Sequence, residues 1–88
     1  MKYSKTKTSL YRRAYVVWLI STGINTVPSI IEVTGMPRRT VQDTLTAIAE
    51  ISVVLENDGG TFKVVDWGLI NKTWVQINLQ HIIDVLSS

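Results

Sequence analysis

The tightest restriction on the fold lies at Gly35-Met36-Pro37, where the chain reverses between two stretches of helical apolar spacing. Upstream, Thr26 is a capping residue, Pro28 falls in a first turn where its missing N–H costs nothing, and Ile30, Ile31 and Val33 supply a side to bury. That short helix runs to about Thr34, and Gly35 can take the positive φ that ends it. Downstream, Pro37 opens a helix over about 37–51, with Val41, Leu45, Ile48 and Ala49 on one face at i, i+4, i+7 and i+8. Arg38, Arg39, Gln42, Asp43 and Thr46 fall largely outside that stripe. One face of this helix packs, and the other is free to read a partner.

The flanking segments complete a single domain. Residues 1–7 are polar and basic without apolar periodicity, so they read as a flexible arm, with the folded domain over 8–88. Thr8 or Ser9 caps a first helix in which Leu10, Ala14, Val17 and Trp18 form a face, while Tyr11, Tyr15, Val16, Leu19 and Ile20 make the flanks apolar as well. A chain this small is not expected to cover such a helix all round, so part of it is expected to face another subunit. From Ile51 onward two β-prone runs surround Asn57-Asp58-Gly59-Gly60, which predicts a hairpin. A last helix over about 71–87 is capped by Asn71 or Thr73 and carries Val75, Leu79, Ile82, Ile83 and Leu86 at helical spacing. Gly59-Gly60 is a turn and not a phosphate loop, since no helix and Lys follow it.

Composition narrows the functional classes. The 88 residues contain no Cys, so neither disulfides nor cysteine-based metal centres can stabilise the chain, and a reducing cytoplasm is the natural setting. His81 is the single histidine and the carboxylates are scattered, which leaves little material for a catalytic triad. No enzyme, cofactor or metal site is expected, and His81, Trp67 and Trp74 read as surface, core or interface residues. The apolar run Ala14–Ile20 is too short to cross a membrane and lacks a cleavage pattern after it, so neither a signal peptide nor a membrane span is expected.

Charge is distributed unevenly. Residues 1–39 carry Lys2, Lys5, Lys7, Arg12, Arg13, Arg38 and Arg39 against Glu32 alone, a net +6. Residues 40–88 carry Lys63 and Lys72 against six acidic residues, a net −4, so the overall +2 hides one strongly basic part. Such asymmetry points to a polyanionic partner.

Helix, short helix, glycine turn, helix with a basic N-terminal end and hairpin is the element order of a winged helix-turn-helix. The expected class is mainly α with a β-hairpin: a three-helix core, a wing and a C-terminal helix. Thr34-Gly35-Met36-Pro37-Arg38-Arg39-Thr40-Val41-Gln42-Asp43-Thr44-Leu45 resembles the turn and recognition helix of bacterial winged helix-turn-helix regulators. Asp66-Trp67-Gly68-Leu69-Ile70-Asn71-Lys72-Thr73-Trp74-Val75 is similar to the segment after the hairpin in a small, poorly characterised family of bacterial winged-helix proteins. The resemblance covers roughly residues 10–80 and implies a DNA-binding regulator.

Under that resemblance, Val41 and Leu45 anchor the recognition helix while Met36 plugs the gap between the two helices. Arg38 and Arg39 then meet base edges or phosphates, Thr40 suits a phosphate oxygen, Gln42 can pair with adenine, and Thr46 lies one turn deeper. Asp43 either holds Arg39 at i+4 or accepts from cytosine N4, the pairing being favoured. Two departures stand out: Ser52 occupies a place where such proteins often have Gly, and the wing offers only Lys63 among Glu56, Asp58 and Asp66. Phosphate contacts are therefore expected from the arm, through Lys2, Lys5 and Lys7, and from Arg12 and Arg13. The expected function is sequence-specific binding of double-stranded DNA as a homodimeric transcriptional regulator, paired through helix one and the C-terminal helix. The alternative is a winged-helix protein–protein module without DNA binding.

Overall fold

The computed structural model describes residues 3–88. Ser4, not Thr8 or Ser9, caps the first helix, its side chain accepting from the Lys7 N–H at 3.1 Å, so α1 runs over Lys5–Ser21. The Thr8 hydroxyl instead donates back to the Ser4 carbonyl, at 2.9 Å. Of the arm expected over 1–7, Lys5 and Lys7 are helical, and Lys2 lies outside the described residues.

α2 spans Val27–Thr34 behind the expected Thr26 cap. Thr26 and Ser29 bond reciprocally as a capping box, and Gly35 ends the helix at φ 71°. Ile30 is buried and Ile31 partly so, but Val33 is exposed, because an eight-residue helix has only one side turned to the core. α3 spans Arg38–Ile48, with Pro37 just outside as its N-cap, and tightens into a 3₁₀ turn over Ala49–Ile51. That change of pitch turns Ala49 out to solvent, contrary to the expected stripe, while Thr44 takes the buried place beside Val41 and Ile48.

β1 (Val54–Asp58) and β2 (Thr61–Asp66) form the antiparallel wing, with Asp58 opposite Thr61 across Gly59-Gly60. Asn57 Oδ1 accepts from the Gly60 N–H at 2.9 Å, which closes the turn. The Phe62 N–H donates to the Asn25 carbonyl at 2.8 Å, tying the wing to the loop between α1 and α2.

The predicted last helix is broken in two, α4 over Lys72–Ile77 and α5 over Leu79–Ser87. Asn71 caps α4, its Oδ1 accepting from the Trp74 N–H. At Asn78 the side-chain amide donates to the Trp74 carbonyl at 2.9 Å and the backbone leaves the helical basin. Val75, Ile82 and Val85 are buried on this pair of helices, and Leu79, Ile83 and Leu86 only partly.

α1 is the central element. Val16, Val17 and Ile20 join Ile30, Val41, Ile48 and Val53 in one core, under the wing residues Leu55, Phe62 and Val64. Ala14 faces a second cluster with Val75 and Ile82, flanked by Tyr11, Tyr15 and Trp18. The chain thus covers most of α1 itself, wrapping α3 and the wing on one side and α4 and α5 on the other, so most of α1's apolar surface needs no second subunit. Only its N-terminal end, at Leu10, keeps a large apolar side chain in solvent.

After the 3₁₀ turn Ser52 sits at φ 63°, the one non-glycine residue with positive φ among those described. This is the position where the resemblance favours glycine. An L-residue in this basin costs roughly 1–2 kcal/mol, so Ser52→Gly should stabilise the domain by about 0.5–1 kcal/mol once the greater freedom of unfolded glycine is set against the gain. Thermal unfolding of the variant checks this, and an unchanged or lower midpoint would show that no such strain is held there.

Candidate nucleic-acid interface

The turn between α2 and α3 is held from both sides. Thr34 Oγ1 donates to the Ile30 carbonyl at 2.7 Å and accepts from the Met36 N–H at 3.1 Å, while Met36 packs against the main core as the plug between the two helices. α3 then leaves Pro37 without a side-chain cap, so its first N–H groups point outward at the positive end of the helix dipole. Val41, Thr44 and Ile48 seat the inner face, and Thr44 Oγ1 is satisfied by the Thr40 carbonyl at 2.7 Å.

Arg38, Arg39, Gln42, Asp43 and Thr46 are all exposed on the outer face of this helix, and Thr40 is half-buried at its edge. The Thr46 hydroxyl donates to the Gln42 carbonyl at 3.1 Å and stays close to its own helix. Arg39 and Asp43 approach to 3.8 Å with side chains 92% and 75% exposed, a loose i,i+4 contact that solvent screens heavily. Its energetic weight is slight, so it steers the guanidinium without immobilising it.

Arg12 and Arg13 reach this region from α1. Both are half-buried, and they share a crevice with Ser9, Thr40, Asp43, Thr44 and Ala47. Arg13 Nε donates to the Ser9 carbonyl at 3.4 Å, which orients its side chain along the helix. Arg12 also borders a second cleft formed with Thr34, Pro37, Ile83 and Leu86, so it stands where α1, the turn and α5 converge. Two guanidinium groups and the start of α3 thus form one edge, net cationic although Asp43 lines the same crevice, suited to the oxygens of a phosphodiester backbone.

The remaining expected residues divide. Lys5 is exposed and shares the Arg12 side of α1 at i, i+7, extending the same edge. Lys7 turns elsewhere, its ammonium 4.6 Å from the Tyr3 ring centre and 5.3 Å from that of Tyr11. Lys63 lies on the wing, in register with Glu56, in a cleft formed with Asp58, Trp67 and Lys72 and away from α3. Ser9 belongs to the crevice but reads in the sequence as a cap; its place one turn before Arg12 and Arg13 is the signal that identifies it.

Among the described residues no three His, Asp or Glu side chains are grouped as metal ligands, and no helix is long and apolar enough to cross a membrane.

A protein-family model described as winged helix-turn helix matches residues 5–86. The crystal structure of a DUF2131 family protein from Shewanella amazonensis is similar, at 27% identity and a TM-score of 0.88, covering 97% of this chain and 95% of that one. No curated protein matches the chain.

Proposed function

Since the chain belongs to the winged helix-turn-helix family, whose members are in general non-enzymatic DNA-binding domains, we propose that it binds double-stranded DNA sequence-specifically, as a homodimeric transcriptional regulator in the bacterial cytoplasm. The observation that carries this reading is the outward display of Arg38, Arg39 and Gln42 on a helix locked from behind by Val41, Thr44 and Ile48. A helix so seated enters the major groove N-terminal end first, where an arginine can bond guanine O6 and N7 together and Gln42 can bond adenine N6 and N7. Thr40, Arg12, Arg13 and Lys5 then contact the flanking phosphates, which set register without reading sequence.

In a two-fold dimer the recognition helices lie about 34 Å apart in successive major grooves, so the preferred site is a palindrome. Selection from a random duplex pool tests the reading. Enrichment of one inverted repeat supports it, and a pool without consensus removes sequence specificity.

The acidic wing shifts phosphate contact to α1, and this has a measurable consequence. Each phosphate neutralised contributes about −0.9 to the slope of log K against log[salt]. Arg12→Ala and Arg13→Ala are each expected to flatten that slope by roughly 0.9 per half-site, hence about 1.8 for the dimer on its palindrome, while Lys63→Ala leaves it unchanged. Equal slopes for wild type and the Arg12→Ala, Arg13→Ala double variant would remove α1 from the interface. Deleting residues 1–7 is a poor probe, because it also removes the Ser4 cap and the start of α1.

The same acidic wing, with Glu56, Asp58 and Asp66 exposed, favours a second reading as a protein–protein module. Wild-type protein without duplex affinity at low salt would support that reading over DNA binding.

A further inference from the structure

Three cations are half-buried among the described residues, and two of them are answered within the chain. The Lys7 ammonium lies over the rings of Tyr3 and Tyr11, and Arg13 donates to the Ser9 carbonyl. Arg12 makes no hydrogen bond, ion pair or ring contact with any described residue. Asp43 lines a crevice with it but pairs with Arg39 instead. A guanidinium that has given up part of its hydration and gained no internal partner is set to hold an anion from outside.

Arg12 also opens on a cleft of about 490 Å³ where α1, the turn before α3 and α5 converge. That volume falls within the range of small-molecule sites, about 300–1,000 Å³. Val33, Met36, Ile83 and Leu86 give the cleft an apolar wall, and no carboxylate lines it. Val33 is 49% exposed, an apolar side chain that the core leaves out and this wall uses. Tyr15 and Thr40 line the same space with hydroxyls that bond nothing else in the described chain, so each can donate beside Arg12.

We propose that this cleft receives a small organic carboxylate with an apolar body, and that its occupant releases DNA. Charge selects that chemistry. One guanidinium matches one carboxylate in a bidentate pair, whereas a phosphate dianion finds a single cation here. A neutral apolar molecule would cover Arg12 without pairing it, and a cationic one would be repelled. The apolar wall then takes the body of the ligand. Release follows from the residues shared: Arg12 and Thr40 are the groups placed on phosphates in the DNA reading above, so a carboxylate bonded to them competes with the duplex backbone. The site stands on the unpaired arginine and the cleft, and only the release rests on the DNA reading.

Octanoate, 3-phenylpropanoate and indole-3-acetate are the probes, with 1-octanol and acetate as controls for body alone and charge alone. Each is titrated into the full chain without DNA and followed by amide chemical shifts. At least one carboxylate is expected to bind, with its largest shifts at Val33, Thr34, Met36 and Leu86, and both controls are expected to bind roughly tenfold or more weakly. Arg12→Gln removes the charge, and Val33→Asp, at an exposed position, sets a rival carboxylate in the cleft. Each variant, with its fold checked by circular dichroism, is expected to lose roughly tenfold or more in carboxylate affinity. Saturating ligand is then expected to weaken wild-type binding to the selected duplex by roughly fivefold or more, and to leave that of Arg12→Gln unchanged.

No shifts at the cleft with any of the three carboxylates would overturn the proposal, as would 1-octanol binding as tightly as octanoate, or undiminished affinity in both variants. A cleft that fills as expected while duplex affinity holds would overturn the release. Filling of the cleft in a protein without duplex affinity would uphold the site while removing the DNA reading.

Discussion

Replacing Arg38 and Arg39 together with alanine should weaken binding by on the order of 10²-fold on a single half-site and 10³-fold or more on the preferred two-half-site duplex, at about 1–3 kcal/mol for each arginine bonded to a guanine. Both side chains are exposed and neither holds the core, so the melting temperature should move little. The loss concentrates in specificity. Binding to unrelated duplex, carried by Arg12, Arg13 and the start of α3, should fall much less than binding to the selected site. Competition titrations against both duplexes measure the two effects, and an equal loss on both would make the pair phosphate ligands instead of base readers. Asp43→Ala separates the roles further: freeing Arg39 from its loose contact changes affinity little, whereas a role for Asp43 on cytosine would alter the preferred base at one position.

The second large effect is on stability. Gly68 sits at φ 56°, and a Cβ there would overlap the carbonyl carbon and oxygen of Ser52 while lying 2.6 Å from the Ile51 carbonyl oxygen. The next residue, Leu69, donates its N–H to that Ile51 carbonyl at 3.0 Å, so the segment leading into α4 is clasped against the end of the 3₁₀ turn. Gly68→Ala must open this clasp or strain both backbones, and neither flexible side chain nor empty space absorbs the clash. The expected cost is about 3 kcal/mol or more, which in a domain of this size lowers the unfolding midpoint by roughly 12–24 °C or more. A midpoint within a few degrees of wild type would show that the two backbones are not in contact in solution. The wing sits between the 3₁₀ turn and Gly68, so the same variant should also loosen its seating.

These residues show where reading the chain succeeds and where it stops. Thr26, Pro28 and Gly35 bound α2 as expected, because capping and positive φ are local properties decided by a few adjacent residues. The outer face of α3 was likewise legible, since Val41 and Ile48 repeat at a period that leaves the arginines no inward path. Gly68, by contrast, is one glycine among five, and only its meeting with Ser52, sixteen residues earlier in the chain, distinguishes it. The start of α1 is not legible in the chain, because Ser4, Thr8 and Ser9 are all competent caps and periodicity is silent over the apolar-free stretch that holds them.

By itself the sequence determined the class of the fold, the turn before α3, the display of Arg38 and Arg39 on that helix, and the uneven charge. Each follows from local conformational preference or from periodicity along a single element. Tertiary structure alone decided that α1 is wrapped by its own chain, that Arg12 and Arg13 stand beside Thr40 while Lys7 turns toward Tyr11, and that the last helix breaks at Asn78 to leave Ile77 in solvent. The physical reason is that an all-round apolar helix such as α1 gives no preferred side. Which neighbour covers which side depends on the summed packing of every other element, and no local pattern encodes that sum.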